Sequence, residues 1–135
     1  MTQTDYNKSI VIRFNKEFIE GGDIHAFHEL VDPSFINHTA PPGIDNGPDG
    51  VAKMILEVMR TALTGLRVNI IQQVAEGDLV TTRKTITGIH TGTFMNIPPS
   101  GKAVTLHVWD TIRLQDGKYM EHWSIRDMSE LTHPK

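Results

Sequence analysis

The stretch covering residues 103–127 constrains the fold more than any other, because it has the pattern of one long β-hairpin. On the first strand, apolar residues recur at every second position, as expected for a strand with one buried face: Val104, Leu106, Val108, Ile112 and Leu114. A turn with Asp-Gly at its centre follows, and residues 119–127 form the returning strand. A two-residue period places five of its residues on one face: Tyr119, Glu121, Trp123, Ile125 and Asp127. We therefore expect a carboxylate in line with aromatic and aliphatic side chains.

The chain before this hairpin has the periodicity of helices. Apolar residues four apart predict a first helix over residues 6–20, Asp23 can cap a second over residues 24–31, and a third is predicted over residues 51–62. Strands at residues 66–75 and 79–94 precede the hairpin, and residues 34–49 form an irregular loop. Helices followed by four antiparallel strands predict a single α+β domain over residues 1–135. We expect a strongly curved, mainly antiparallel sheet wrapped around N-terminal helices.

Composition removes several classes of function. The chain has no cysteine, which excludes a thiol nucleophile and any cysteine-bound metal centre. Its net charge of −3 supplies no basic field for nucleic acid. No run approaches the eighteen or so apolar residues that cross a bilayer, and the first residues have no targeting pattern. We expect a cytoplasmic protein whose partner is neither nucleic acid nor a membrane.

Asp127 is the first candidate for chemistry, because a curved sheet closed by helices leaves a concave pocket for a small molecule. Desolvation beside Trp123 and Ile125 would raise the pKa of Asp127 toward neutrality, where a carboxyl group can both take and return a proton. A structural alternative is equally open at this point. Asp127 and Glu130 have the spacing of a capping box, so Asp127 could begin a C-terminal helical turn.

Asp110 interrupts the apolar series of the first hairpin strand and is expected to point inward. It could donate a hydrogen bond to a substrate oxygen in its neutral form, or it could pair with Arg83 or Arg113. His107 and Trp109 fall on the opposite face under strict alternation.

Two histidines outside the hairpin are further candidates. His38 opens the irregular loop and could stand at the pocket rim, and His90 lies between glycines that can kink its strand. Each also fits a surface position or a hydrogen-bonded core position. No histidine pair among these candidates has a compact ligand spacing, so no metal site is predicted.

With these residues in hand, the chain resembles the SnoaL-like polyketide cyclase family, whose members are also called ester cyclases. This family lies within the superfamily of nuclear transport factor 2 and ketosteroid isomerase. The resemblance rests on an ordered set of short motifs over nearly the whole chain: Asn7-Lys8, residues 35–38, 47–50, 76–78 with Val80 and Arg83, 88–92, 97–102, 116–118 and 121–123 with Asp127.

The resemblance implies a cone-shaped α+β barrel, dimeric or tetrameric, with cofactor-free chemistry. In the characterised cyclases, an aspartate in a Trp-x-x-x-Asp pattern acts as general acid and base in an intramolecular aldol closure. Trp123 and Asp127 match that pattern, so the resemblance implies this role for Asp127. The side chains predicted to contact the substrate are those of Asn37, His38, Arg83, His90, Asp110 and Trp123.

The functional prediction is a small enzyme that transfers protons on a carbonyl compound, as a cyclase or an isomerase does. The alternative is a non-catalytic module that uses the same cone to hold a small apolar ligand or to pair with a partner. The chain has no His-x-x-x-His, dinucleotide or phosphate-binding motif, so we predict that no cofactor is needed. A homodimer is predicted through an outer sheet face, with a tetramer as the alternative: Thr105, His107, Trp109, Thr111 and Arg113.

Overall fold

The first predicted helix is present in the computed structural model, which describes residues 1–134. α1 spans Gln3–Arg13 and continues as a wider, π-helical segment over Phe14–Glu20. A capping box closes its first turn, in which Thr2 and Asp5 each accept a hydrogen bond from the other's backbone N–H. The chain leaves this helix at Gly22, whose φ of 69° suits glycine.

The other two predicted helices are also confirmed. α2 spans Ile24–Leu30, and the side chain of Asp23 accepts two backbone N–H groups of its first turn. α3 spans Pro48–Lys53 and continues as a π-helical segment over Met54–Met59, followed by an α-helical turn at Arg60–Ala62. Proline at its start is favourable, because the first helical residues need no backbone donor.

Five strands form one open sheet: β1 at Val31–Asn37, β2 at Leu63–Glu76, β3 at Leu79–His90, β4 at Ala103–Gln115 and β5 at Lys118–Asp127. Their order across the sheet is β1-β5-β4-β3-β2, and every pair is antiparallel except β1 with β5. The α+β fold with a mainly antiparallel sheet is therefore confirmed. The prediction of four strands is wrong, because β1 carries Pro33 and lies at the edge, where the pattern of a strand is weak.

The sheet has an inner face, which packs on the helices, and an outer face. On β4 the inner residues Leu106 and Ile112 are almost completely buried, whereas the outer residue Trp109 is 57% exposed. The aromatic core lies against the inner face, with the rings of Phe14 and Tyr119 stacked at 4.3 Å between centroids. The predicted outward position of Trp109 is thus confirmed. Within residues 1–134 no helix has the length and apolar character that crossing a membrane requires.

A bulge near the turn shifts the returning strand of the hairpin by one residue. Arg113 pairs with Glu121, but the next residue, Leu114, pairs with Tyr119, so Met120 is the extra residue on β5. Because side chains alternate between faces, this insertion reverses the phase of the strand beyond it. Tyr119, before the bulge, remains buried with the core. Each residue of β5 after the bulge lies on the face opposite to the one expected from counting alternate residues from the turn.

Candidate active site

A cavity lies between the inner face of the sheet, the π-helical segment that follows α1, and α3 with its π-helical continuation. It contains about 830 Å³ of unfilled space, counting the part that opens to solvent. Most of its wall is apolar, with Ile19, Met54, Met59, Val108 and Ile112 among the lining residues. The polar side chains of the lining come mainly from four neighbouring strands, β1, β5, β4 and β3: Asn37, Lys84, Asp110, His122, Ser124 and Arg126. Such a pocket, apolar with a few convergent polar groups, is typical of a small-molecule site.

A buried ion pair forms the polar centre of the cavity. The Nζ atom of Lys84 lies 3.0 Å from Oδ2 of Asp110, and their side chains are only 4% and 6% exposed. Lys84 also donates a 2.6 Å hydrogen bond to Oδ1 of Asn15. The amide of Asn15 is correctly oriented for this contact, because its Nδ2 donates to the carbonyl oxygen of Val11. The ammonium group of Lys84 is therefore bound by both Asp110 and Asn15, and the charge of Asp110 is paired within the protein.

His122 approaches the same carboxylate from β5. Its Nδ1 donates a 2.7 Å hydrogen bond to Oδ1 of Asn37, an oxygen that also accepts the backbone N–H of Thr39. This second contact identifies the oxygen as an acceptor, so Nδ1 must carry a proton. The other nitrogen, Nε2, lies 3.7 Å from Oδ2 of Asp110. A proton on Nε2 would make an imidazolium facing the carboxylate, and its loss would leave a lone pair there.

The second oxygen of Asp110, Oδ1, is buried and has no hydrogen-bond partner among residues 1–134. Burial alone would raise the pKa of Asp110, but the adjacent charges of Lys84 and His122 outweigh it and hold the pKa below its ordinary value. Asp110 is therefore a carboxylate at neutral pH. The expectation that it pairs with a cation is correct in kind, but its partner is Lys84 and not Arg83 or Arg113.

Tyr119 adds a proton donor to the cavity wall. Burial, together with the negative charge of Asp110, raises the pKa of this phenol well above its ordinary value. The hydroxyl group therefore stays protonated over the physiological range. A neutral phenol in an apolar wall can donate a hydrogen bond to a substrate oxygen.

Comparison with known proteins identifies the family. Residues 9–133, almost the whole chain, match the model of the SnoaL-like polyketide cyclases. The chain belongs to the SnoaL-like polyketide cyclase family. A comparison with curated proteins finds no match.

Solved structures share the fold of this SnoaL-like domain. TsrD from Streptomyces laurentii superposes with a TM-score of 0.86 at 21% identity, covering 98% of this chain and 96% of TsrD. IdmH from Streptomyces antibioticus gives 0.79 at 25% identity, with 94% of this chain and 98% of IdmH covered. A SnoaL-like polyketide cyclase from Agrobacterium tumefaciens C58 gives 0.78 at 17% identity, with 98% of each chain covered. Family and fold together support a small cyclase-like function.

The SnoaL-like domain places Asp127 outside the cavity. Beyond the bulge the residues of β5 that line the cavity are His122, Ser124 and Arg126, so the alternating residues from Glu121 to Asp127 lie on the outer face. The expectation that Asp127 shares a face with the buried Tyr119 is wrong for this reason. Oδ1 of Asp127 accepts the backbone N–H of Ser129, where a short 3₁₀ turn begins. This local contact fits the structural alternative, and catalysis by Asp127 stays a prediction.

His38 and Trp123 also lie on the outer side. Their rings stack at 4.8 Å, and Nε2 of His38 lies 2.9 Å from Oε1 of Glu121. Arg113 forms a salt bridge with the other oxygen of Glu121. His38 and Asp127 are therefore not among the residues that line the cavity described above. Of the predicted substrate contacts, only Asn37 and Asp110 line the cavity.

The last two predicted contacts have other surroundings. Arg83 lies over the ring of Trp109 at 5.7 Å on the outer face. His90 is completely buried near the end of β3 and is not part of the cavity wall. Both of its ring nitrogens are without a hydrogen-bond partner in the described part of the chain.

Sequence reasoning missed Lys84, His122, Ser124 and Arg126. A signal existed for Lys84, because it interrupts an inward-facing series that includes Val80 and Ile86, just as Asp110 interrupts its own series. A lysine and an aspartate pointing inward from neighbouring strands predict an ion pair. The three residues on β5 had no such signal, because the bulge at Met120 reverses their face.

Proposed function

We propose that this SnoaL-like domain catalyses proton transfer on an activated carbonyl compound in the cavity, in a cyclase or isomerase type of reaction, with Asp110 as the proton acceptor. The observation that supports this most is that Asp110, an ionised residue lining an apolar cavity, has a buried oxygen, Oδ1, with no hydrogen-bond partner among residues 1–134. Buried polar atoms in proteins almost always have a partner, and a substrate group can supply the missing one. In this proposal the proton acceptor is Asp110 and not Asp127.

The lowered pKa of Asp110 restricts the substrate. A carboxylate of low pKa is always ionised at neutral pH, but it is a weak base. It can take a proton only from an acidic carbon, such as one between two carbonyl groups. The bonding electrons then move onto a carbonyl oxygen, and the resulting enolate can accept a hydrogen bond from Tyr119 or from a protonated His122.

Ring closure would follow from that enolate without another reagent. The enolate carbon attacks a second carbonyl carbon of the same molecule, and the oxygen of that carbonyl group becomes an alkoxide. Asp110 returns its proton to this oxygen directly, or His122 gives its own proton and is reprotonated by Asp110, so the protein ends in its starting state. Independence from cofactors is part of this proposal, and activity is expected to persist in EDTA.

Exchange of a carbon-bound proton for deuterium tests the first step directly. We would incubate the protein in D₂O with 2-substituted β-keto esters of increasing size and follow the α-proton by NMR. Exchange above the uncatalysed rate is expected for wild type, with a loss of about two to four decades in Asp110→Asn. Asp127→Asn is the matched control and should exchange at the wild-type rate. Loss in Asp127→Asn alone would return the role to Asp127, and no exchange by wild type would contradict the proposal.

A non-catalytic binding module is the second candidate. It is favoured by the outer position of Asp127, the residue that the family pattern marks for catalysis. In this case Lys84 and Asp110 would only orient a ligand. The same NMR samples separate the two: probes that shift cavity resonances without any exchange would favour binding alone.

A further inference from the structure

Arg126 stands at the end of the inner row of β5, on the wall of the cavity. The row runs His122, Ser124, Arg126, and Ser124 lies opposite Asp110 in the sheet register. Because two residues of a strand span about 7 Å, Arg126 begins about that far from the level of Asp110. Exposure rises along the row, from the partly buried His122 to the exposed Arg126, so Arg126 is at the mouth.

In the part of the chain that the structure describes, the guanidinium of Arg126 donates one hydrogen bond. Its Nη2 donates a 2.8 Å hydrogen bond to the backbone carbonyl oxygen of Thr39, which follows β1. Among residues 1–134 no carboxylate lies within 4 Å of its guanidinium, although a guanidinium carries five N–H donors. Pro41, Ile44 and Met128 also line the cavity, and none of their side chains carries a negative charge.

The environment makes this cation costly without an anion. Burial of the guanidinium lowers the pKa of Arg126 below its ordinary value, although the residue as a whole is exposed. A bound anion would relieve this penalty, because the positive charge would then be paired in a partly desolvated site. The other cation of the cavity, Lys84, is already engaged by Asp110 and Asn15. A guanidinium can bind a carboxylate through two parallel hydrogen bonds, and the single positive charge of Arg126 balances the single negative charge of a carboxylate.

We propose that Arg126 is a carboxylate-binding subsite, so that the preferred ligands are carbonyl compounds carrying a carboxylate at the end that faces the mouth. This inference rests on the proposed function in taking the same cavity as the ligand site. The carboxylate would stand roughly one side-chain row, about 7 Å, from the carbon that reacts at Asp110. The site would thereby fix which end of an elongated acid enters first.

Paired probes of equal shape test the subsite by binding alone. We would measure the affinity of 2-naphthylacetate and of its neutral amide, and of three further aryl acid and amide pairs, by calorimetry at low salt. Wild type should prefer each acid by about tenfold to a hundredfold, the range of a charge-assisted hydrogen bond. The preference should disappear in Arg126→Gln and persist in part in Arg126→Lys. Arg67→Gln removes the same charge at an exposed position outside the cavity, and should keep the full preference.

Arg126 could instead serve only to anchor the loop through Thr39, and the affinities of the neutral amides distinguish this role from carboxylate binding. If it does, Arg126→Gln will weaken acids and amides equally, which overturns the proposal. Acids and amides that bind wild type equally, or probes that do not bind at all, also overturn it. Asp110→Asn separates this result from the proposed function, because it should abolish exchange while the dependence of the acid preference on Arg126 remains.

Discussion

On the inner face of the sheet a lysine, a carboxylate and a histidine meet with little exposure to solvent, whereas on the outer face an arginine, a carboxylate and a histidine meet in a partly exposed position. The inner group is Lys84, Asp110 and His122, and its ion pair is only 4% and 6% exposed. The outer group is Arg113, Glu121 and His38, each between about a quarter and a third exposed. The chemical groups are nearly the same, so burial is the variable that differs.

Burial changes what such a group can do. In both places the cation lowers the pKa of the carboxyl, but on the inner face this happens against a large desolvation penalty. Water solvates the outer charges and salt screens them, and both effects weaken the attraction between them. Within residues 1–134 one oxygen of the inner carboxylate has no hydrogen-bond partner, whereas both oxygens of Glu121 are engaged, one by His38 and the other by Arg113. The inner group is therefore poised for a ligand, and the outer one is satisfied within the protein.

The largest expected difference between the two groups is in activity. Asp110→Asn should reduce α-proton exchange by about two to four decades, the usual contribution of a general base. Glu121→Gln, the same kind of change on the outer face, should leave the rate within about twofold, because this side chain does not line the cavity. The deuterium exchange assay measures both. Equal losses in the two variants would break the comparison.

The next difference is in the free energy of unfolding. Lys84→Met leaves the Asp110 carboxylate buried without its cation and should cost about 3–5 kcal/mol. The double variant Lys84→Met/Asp110→Leu should be close to wild type or more stable, because apolar side chains of similar volume replace a desolvated pair. Both should lack activity. Urea unfolding monitored by tryptophan fluorescence gives these energies.

The matched control on the outer face is Arg113→Gln, alone and combined with Glu121→Gln. Its changes should be smaller than those of the inner pair, because water can solvate whichever charge remains. A double inner variant as unstable as Lys84→Met alone would show that the pair stabilises the fold. That result would weaken the proposal that the Lys84–Asp110 pair serves catalysis at a cost in stability.

These two faces also show how far the sequence could predict this molecule. The alternation on β4 correctly separated Asp110 from His107 and Trp109, because nothing interrupts that strand. On β5 the prediction carried the same alternation from the turn to Asp127, and one extra residue at Met120 placed that carboxylate outside. A bulge of this kind leaves no mark in the hydrophobic pattern, because Trp123 and Ile125 on the outer face are as apolar as core residues.

The outer face is also where we expect a second copy of the chain. Trp109 is 57% exposed and Ile125 is 80% exposed, and they are paired neighbours in the sheet. We propose that this patch forms a homodimer, and Trp109→Asp should then yield a monomer, because losing a central aromatic contact typically costs about 2 kcal/mol or more. Sedimentation at micromolar concentration measures this. Val74→Asp makes a similar change at an exposed position on β2 and should leave the dimer intact.

The smallest expected effect is the loss of stability in acid, and it distinguishes the two faces by its response to salt. The folded pKa of Asp110 lies below its ordinary value of about 3.9, so its stabilising effect is present above that pH. As the pH falls toward the folded pKa, the unfolded chain binds a proton first and stability declines. One carboxyl contributes at most about 1.4 kcal/mol per pH unit to this slope. The slope should therefore be shallower in Lys84→Met/Asp110→Leu.

Glu121 also loses its stabilising effect as the pH falls, because hydrogen bonds from Arg113 and His38 lower its pKa in the folded state. Its part of the slope, obtained as wild type minus Glu121→Gln, should shrink when salt is raised to about 1 M, where charges are screened within about 3 Å. The part due to Asp110 should change little, because salt does not enter the buried pair. Urea unfolding at a series of pH values between 5 and 3, at low and high salt, measures both. An inner contribution as sensitive to salt as the outer one would mean that water reaches Asp110 freely, and the dry environment on which its proposed chemistry depends would not exist.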